Sequence, residues 1–145
     1  RINSILYYEK VENDISDPET WERFGADLHA LKVKVVSFVR DAVAKGKTVY
    51  GYGASTKGNT LLQFFGLDSK DITAIAERSP YKFGLKTIGT NIPIISEDEM
   101  RKAKPDYLLV LPWHFIDEFE KREQDFLNSG GAFIVPCPEF KIISK

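Results

Sequence analysis

Apolar and polar positions follow a helical period in the first part of this chain. Between residues 17 and 46, apolar side chains recur at steps of three and four, which places them on one face of a long helix. Asp17 before Pro18 is typical of a helix start, and Gly46 is typical of a helix end. The apolar stripe consists of Trp21, Phe24, Leu28, Leu31, Val35, Phe38 and Ala42. It predicts packing on the domain's own sheet or a coiled-coil seam, and its short length favours packing on the sheet.

After this helix, short apolar runs alternate with helical segments. The predicted strands are 48–52, 72–76, 92–95, 107–111 and 132–135. Three helices are predicted in this part of the chain. The first starts near Ser55, the second starts at a capping box of Ser96 with Glu99, and the third spans residues 115–128. This alternation indicates a parallel sheet with right-handed crossovers and helices on both faces. The sequence therefore predicts an α/β fold, a Rossmann-like doubly wound parallel sheet of about five strands with a long N-terminal helix.

The domain organisation follows from the same pattern. Residues 1–16 are predicted to be an irregular or strand-like lead-in, and residues 17–145 a single domain with its own core. The first residue is Arg1 rather than methionine, so we expect a fragment of a longer protein whose catalytic machinery lies elsewhere.

Composition and charge exclude several kinds of binding partner. The chain is 43% hydrophobic and 28% charged with a net charge of −1, which excludes a basic field that would attract nucleic acid. No apolar run approaches the roughly 20 residues needed to cross a membrane. The single cysteine, Cys137, excludes an internal disulfide and a cysteine-built zinc site. We therefore expect a cytoplasmic domain with no metal and no membrane partner.

The glycine-rich stretch after the first predicted strand is the strongest candidate site. Two glycines, Gly51 and Gly53, allow a sharp turn, and the helix that follows presents its first amides and its positive end to an anion. Lys57 adds a full positive charge. The predicted ligand is the diphosphate of a nucleotide or nucleotide sugar. The candidate binding residues of the turn are Gly53, Ala54, Ser55, Thr56, Lys57, Gly58 and Asn59.

A nicotinamide or flavin dinucleotide is one alternative ligand. The first two glycines match its fingerprint, but Thr56 occupies the third glycine position, and Gly58 comes two residues later. Glu77, at the end of the second predicted strand, stands where an acid would bind a ribose hydroxyl. The spacing does not fit a Walker phosphate loop. An oxidoreductase therefore remains an alternative.

The loop after the fourth predicted strand is expected to face this turn. In a doubly wound sheet the first and fourth strands are neighbours, and ligands bind where their carboxyl ends meet. Trp113 is able to stack on a base or sugar, or to fill the edge of the core. His114 is able to carry a proton, or to cap the helix that follows. We include both residues in the candidate site.

Several motifs, in order, resemble the C-terminal domain of the sugar C-methyltransferases. The opening motif is residues 51–62, Gly-Tyr-Gly-Ala-Ser-Thr-Lys-Gly-Asn-Thr-Leu-Leu. The later motifs are Glu77 to Gly84, Gly89 to Ile94, Pro105 to Tyr107, Leu111 to Trp113 and Pro136 to Pro138. The resemblance covers about residues 20–140, which is nearly the whole chain.

The resemblance implies a function for the chain. Proteins of that family methylate a carbon of a keto sugar linked to a nucleoside diphosphate, typically dTDP, with S-adenosylmethionine as methyl donor. They have an N-terminal zinc-binding region and a central methyl-donor domain, which would be the missing partners of this chain. The C-terminal domain helps to hold the nucleotide sugar and does not bind the methyl donor. We therefore expect no catalytic residue and no metal ligand in this chain, and an isolated fragment without activity.

Departures from the family pattern fall near the expected pocket. This chain has Glu77 and Ser79 where the family usually has aspartate and asparagine, Ile88 where it has proline, and His114 where it has asparagine. These changes allow a different sugar or base. The alternative functions are a non-catalytic nucleotide-binding or interaction module and, less favoured, an NAD(P)-dependent oxidoreductase.

Overall fold

A six-stranded mixed sheet with helices on both faces organises the structure, a computed structural model that describes residues 15–145. Two short 3-10 helices span Pro80–Lys82 and Trp113–Phe115. The helices and strands, in chain order, are α1 (Pro18–Ala44), β1 (Val49–Tyr52), α2 (Thr56–Phe65), β2 (Ile75–Glu77), β3 (Ile94–Ser96), α3 (Glu97–Ala103), β4 (Tyr107–Val110), α4 (Ile116–Arg122), α5 (Gln124–Asn128), β5 (Ala132–Val135) and β6 (Lys141–Ile143).

The strand order is β3-β2-β1-β4-β5-β6. Strands β1 to β5 run parallel, and β1 pairs with β4 as predicted. The carboxyl ends of β1, β2 and β4 therefore lie at one edge of the sheet, and the loops that leave them form the candidate site.

Strand β6 corrects the prediction of a parallel sheet of about five strands, because it adds a sixth strand that is antiparallel. It pairs antiparallel with β5, with Ile142 opposite Ile134. The segment is short and mostly exposed, so it has neither the length nor the apolar run that indicates a buried strand. Its strand conformation comes from hydrogen bonds to the open edge of β5.

The predicted ends of α1 and of two shorter helices are confirmed. The Asp17 side chain accepts a hydrogen bond from the Glu19 amide at 3.0 Å, and α1 ends just before Gly46. Ser55 caps α2, and a complete capping box of Ser96 and Glu99 starts α3. Local hydrogen bonds by short polar side chains set these helix starts, so sequence alone locates them.

The apolar stripe of α1 divides into two parts with different surroundings. In its second half, Val35 and Ala42 are buried against the sheet and Phe38 is partly buried there, as the favoured interpretation predicted. Val39, which the predicted stripe did not include, is also buried. In its first half, Trp21 and Phe24 remain exposed. The second half of the stripe therefore contributes to the core, and the first half forms part of the exposed surface.

Strands β2 and β3 begin two or three residues later in the chain than predicted. Strand β2 begins at Ile75 instead of residue 72, and β3 at Ile94 instead of residue 92. The segment before β2 nevertheless bonds to β1, since the Gly51 amide donates to the carbonyl of Ala74 at 2.8 Å and the Thr73 amide to that of Val49 at 3.0 Å.

The predicted helix 115–128 is interrupted, which corrects another expectation. Helix α4 ends at Arg122 and α5 begins at Gln124, with a non-helical backbone at Glu123 (φ −107°, ψ 36°). The Glu123 carboxylate is almost fully buried at this break, where it accepts hydrogen bonds from Tyr52 and Arg101. Helical periodicity does not reveal such a break.

Two apolar layers cover the faces of the sheet. Helices α1 and α2 cover one face, and the layer includes Val39, Leu62 and Leu109. Helices α3, α4 and α5 cover the other, with Met100 and Phe119 among its members. The predicted lead-in at residues 1–16 lies outside the described residues except for its last two.

Candidate functional site

The turn after β1 rests against the exit of β4. Gly53 has a φ of +83°, which favours glycine, and a side chain there would meet Cγ of Pro112 at 2.6 Å. Gly58 is buried in the first turn of α2, where an added Cβ would lie 2.5 Å from Cβ of Leu111. Gly58 thus allows the close contact between helix and strand that the third glycine of a dinucleotide fingerprint normally allows.

Ser55 caps α2 and leaves two amides at its N-terminus unpaired. The Ser55 hydroxyl accepts a hydrogen bond from the Gly58 amide at 3.0 Å. The amides of Thr56 and Lys57 have no acceptor within the helix, and none is found for them elsewhere in residues 15–145. These two donors, at the positive end of the α2 dipole, are available to an anion.

Glu77 holds the turn in place from the end of β2. Its Oε2 accepts from the Ala54 amide at 2.9 Å and from Nζ of Lys82 at 3.2 Å. Its Oε1 accepts from the amides of Arg78 at 2.9 Å and Ser79 at 3.0 Å. Each carboxylate oxygen therefore has two donors, and Glu77 links the turn after β1 to the segment that follows β2.

The hydrogen bonds to Glu77 stabilise its charged form. Burial raises the pKa of this carboxyl group, but the Ser79 amide and the Lys82 ammonium lower it by more, so the pKa of Glu77 lies below its usual range. Lys82 also donates to the carbonyl oxygen of Ala54 at 2.7 Å. Glu77 and Lys82 are therefore a fixed, charged pair beneath the turn.

A pocket of about 370 Å³ opens between the turn and the exit loop of β4. Gly53, Ala54 and Ser55 form one side, and Pro112 and Phe115 form the other. The two loops that were predicted to face each other thus contribute to one pocket.

Charged side chains of both signs line this pocket. Lys82 is paired with Glu77, and the Arg122 guanidinium is held by Tyr52 and Glu97. Arg78, by contrast, is exposed, and its side chain makes no hydrogen bond or ion pair within residues 15–145. The full set of charged residues is Glu77, Arg78, Lys82, Glu97, Glu118 and Arg122.

A second pocket of about 250 Å³ lies on the other side of the turn. Ala54 and Ser55 line both pockets, whereas Thr56 and Asn59 line only the second. The side-chain amide oxygen Oδ1 of Asn59 is buried and has no hydrogen-bond partner within residues 15–145. The turn and the first residues of α2 therefore separate two cavities.

Four residues predicted for the site lie outside both pockets, and one of them, Gly58, is buried in α2. Lys57 is exposed on α2, and Trp113 and His114 lie in the 3-10 helix after β4. The His114 ring is exposed and its centroid lies 4.3 Å from that of Phe115, which does line the first pocket. Contact of these four residues with a ligand stays a prediction.

A buried polar network next to the first pocket was missed by sequence analysis. The Tyr52 hydroxyl donates to Glu123 at 2.7 Å and accepts from Nη2 of Arg122 at 2.9 Å. Arg101 donates to both oxygens of Glu123, at 3.0 and 2.5 Å, and Nη2 of Arg122 donates to Glu97 at 2.8 Å. Burial and the hydrogen bond to Glu123 raise the pKa of Tyr52 above its usual range.

One signal for this network was present in the sequence. A tyrosine at a buried strand position needs a partner for its hydroxyl group, so Tyr52 predicts a polar neighbour. Which residue provides it depends on the break at Glu123, which periodicity does not show. The network fixes the Arg122 guanidinium, whose central carbon lies 5.0 Å from the Phe119 ring centroid, at the pocket wall.

Two further findings concern possible metal ligands and membrane-spanning helices. Within residues 15–145, no group of three or more histidine, cysteine, aspartate or glutamate side chains is arranged to hold a metal ion. None of the helices in that range combines the length and apolar character needed to cross a membrane.

The turn between two pockets, at the carboxyl edge of a largely parallel sheet, is a feature of ligand-binding α/β domains. Comparison with known families is more specific, because the family described as C-methyltransferase C-terminal domain matches residues 1–138. The chain belongs to this family. It is also 38% identical over 136 residues to the C-methyltransferase NovU of Streptomyces niveus. The match covers 94% of this chain and 32% of NovU, so the chain spans about a third of the length of this relative.

Proposed function

We propose that this chain is the substrate-binding C-terminal domain of an S-adenosylmethionine-dependent C-methyltransferase that acts on a nucleotide-linked keto-deoxy sugar, with dTDP as the expected nucleotide. Family membership supports the class of enzyme, and the name of NovU agrees with it. The observation that carries the proposed role is the open turn at Gly53–Asn59, which has unpaired amides and a pocket on each side.

The strand order supports a Rossmann-like description of the domain. Strands β1 to β5 are parallel in the order 3-2-1-4-5, and the winding direction reverses between β1 and β4. Ligands of such sheets bind in the crevice at this reversal, outside the carboxyl ends of the strands. We therefore place the nucleotide sugar at the turn that leaves β1.

The charges around the turn suit a diphosphate. The amides of Thr56 and Lys57 would donate to phosphate oxygens, and Arg78 would contribute a charge that no carboxylate within residues 15–145 neutralises. Lys82 and Arg122 line the same pocket but are held by carboxylates. We propose that the diphosphate crosses the first turn of α2, with the sugar in one pocket and the nucleoside in the other.

Glu77 argues against a dinucleotide in this site. An acid that binds ribose hydroxyls needs free acceptor positions, but both oxygens of Glu77 already accept two hydrogen bonds each. We infer that Glu77 fixes the turn and does not contact a ribose. This argument disfavours an NAD-dependent oxidoreductase, and it equally disfavours binding of the methyl donor in this domain.

The remaining part of the enzyme would carry out the chemistry. S-adenosylmethionine supplies a methyl group on a sulfonium centre, and methylation beside a ketone requires a base and stabilisation of an enolate. We assign no catalytic residue to this chain, in which the described residues serve to bind and orient the substrate.

Calorimetric titration of the chain with dTDP, UDP and NAD tests the proposal. We expect dTDP to bind and NAD not to bind. Binding of NAD alone would support an oxidoreductase, and the absence of binding by all three would support an interaction module and refute substrate binding by this domain.

Variants then locate the diphosphate. Arg78→Ala and Lys57→Ala should each weaken dTDP binding by about 1–3 kcal/mol, the scale of a charge-assisted hydrogen bond. Lys70→Ala is the matched control, because Lys70 is an exposed lysine before β2, at the opposite end of that strand. If the first two variants bind as tightly as the control, Arg78 and Lys57 do not contact the ligand.

A further inference from the structure

The first half of α1 and the turn before it carry large apolar side chains that nothing covers within residues 15–145. Ile15, Trp21 and Phe24 are 60%, 56% and 54% exposed, whereas Val35 and Val39 in the second half are fully buried. The change occurs within one continuous helix. The exposed part therefore does not serve the core of this domain.

These side chains form an ordered apolar groove. The Trp21 indole N–H donates to the carbonyl oxygen of Ile15 at 2.8 Å, which fixes the ring against the turn. The rings of Trp21 and Phe24 meet edge to face, with centroids 6.1 Å apart. They line a cavity of about 570 Å³ together with Thr20, and we call this surface the α1 groove.

The composition of the α1 groove is that of a protein interface. Its lining combines the aromatic side chains of Trp21 and Phe24 with the charged residues Arg23 and Asp27. Tryptophan and arginine are enriched among the residues that dominate binding energy, and a polar rim around an apolar centre is typical of interfaces. Apolar clusters on the surface of soluble domains commonly mark interaction sites.

The family identifies the occupant. The matching family is a C-terminal domain, and the relative NovU is about three times as long as the matched segment. In such an enzyme the remaining part precedes this domain, and the α1 groove lies at the first described helix. Further along, α1 is already occupied, since the His29 ring lies 6.0 Å from Phe64 of α2 and Arg40 donates to Gly66.

We propose that the α1 groove is the docking surface for the preceding part of the same methyltransferase, which contributes an apolar segment that packs on Trp21 and Phe24. The proposal rests on the proposed place of this domain in a longer enzyme. In this proposal, the first half of α1 forms the contact between this domain and the rest of the enzyme. Nucleotide binding at the Gly53–Asn59 turn does not depend on it.

Hydrogen exchange on the full-length enzyme tests this docking. The double variant Trp21→Ser/Phe24→Ser should accelerate exchange of amides in residues 18–31 by about tenfold or more, because the interface opens. It should also accelerate exchange in a segment of the preceding part. Loss of helix stability alone would not cause that second change. Val33→Ser is the matched control, since Val33 is 63% exposed on the same helix and does not line the groove.

Two results would overturn the proposal. In the first, the double variant leaves exchange in the preceding part unchanged. In the second, protection of residues 18–31 depends on protein concentration and sedimentation shows dimers that the double variant abolishes, in which case a second copy covers the groove. The calorimetric titration with dTDP reports separately on the proposed function.

Discussion

Glu77 provides the most direct test of how the candidate site is held together. Its carboxylate accepts hydrogen bonds from three backbone amides, those of Ala54, Arg78 and Ser79, and from the Lys82 ammonium. Glu77→Gln keeps the size of the side chain but leaves one acceptor oxygen and places an NH₂ group opposite two donors. The variant therefore removes charge and hydrogen bonds without creating a cavity.

The expected loss is a substantial part of the stability of a domain of this size. Hydrogen bonds to a charged group contribute about 1.5–3 kcal/mol each, and those made by one group are not additive. The Glu77 side chain is 13% exposed, so water replaces the lost partners only in part. We expect Glu77→Gln to lower the free energy of unfolding by about 2–4 kcal/mol at neutral pH.

Urea denaturation at a series of pH values measures this loss and its origin. The pKa of Glu77 lies below its ordinary value of 4.5 in the folded chain, so its contribution is complete above that value and is lost as the pH falls through the folded-state pKa. The difference between wild type and Glu77→Gln should therefore be constant near neutral pH and shrink below about pH 4.5.

Glu118→Gln is the control for this experiment. Glu118 lines the same pocket, but its side chain is 59% exposed and its oxygen lies 3.4 Å from Nη1 of Arg122. We expect this variant to change stability by about 0.5 kcal/mol or less. An effect of Glu77→Gln equally small, or one independent of pH, would refute the role of Glu77 as the charged anchor of the turn.

Two further predictions concern packing and buried charge. Gly58→Ala should cost about 1–3 kcal/mol of unfolding free energy, because its Cβ would lie 2.5 Å from Cβ of Leu111, whereas Gly25→Ala in α1 meets no atom within 4 Å and should be neutral or stabilising. Thermal denaturation compares the two, and an equal response would contradict the packing argument. Glu123→Ala should cost about 3–5 kcal/mol by chemical denaturation, since it leaves the buried Tyr52 hydroxyl and the partly buried Arg101 guanidinium without this acceptor, while Glu139→Ala at an exposed ion pair should cost about 0.5 kcal/mol or less. Similar losses in both variants would show that the Glu123 network contributes little.

The positions of the site elements could be predicted from sequence because local interactions determine them. Asp17, Ser55 and Ser96 cap helices through hydrogen bonds to amides two or three residues away. Gly53 allows the left-handed backbone of the turn, and apolar runs such as 107–110 locate the central strands. Motifs in this order also indicated the family, which the comparison confirmed for residues 1–138.

The partners of the site residues were decided by the tertiary structure alone. Glu77 stands where an acid would bind a ribose hydroxyl, and the structure shows that its carboxylate accepts hydrogen bonds from the Ala54 amide and the Lys82 ammonium. Contact of Glu77 with a ligand stays a prediction. At the pocket wall, the Arg122 guanidinium donates hydrogen bonds to Tyr52 and Glu97, which come from distant parts of the chain.

Long-range contacts likewise explain the remaining differences in the fold. Strand β6 forms because β5 offers an unpaired edge, and the helix after β4 breaks where the Glu123 carboxylate turns towards Tyr52 and Arg101. The stripe of α1 is uniform in sequence, yet the sheet covers only its second half. Sequence determined the remaining helices and strands and the glycine turn, because these depend on neighbours along the chain. Only the tertiary structure decided which charges are neutralised and which apolar surface stays open, because these depend on residues that the fold brings together.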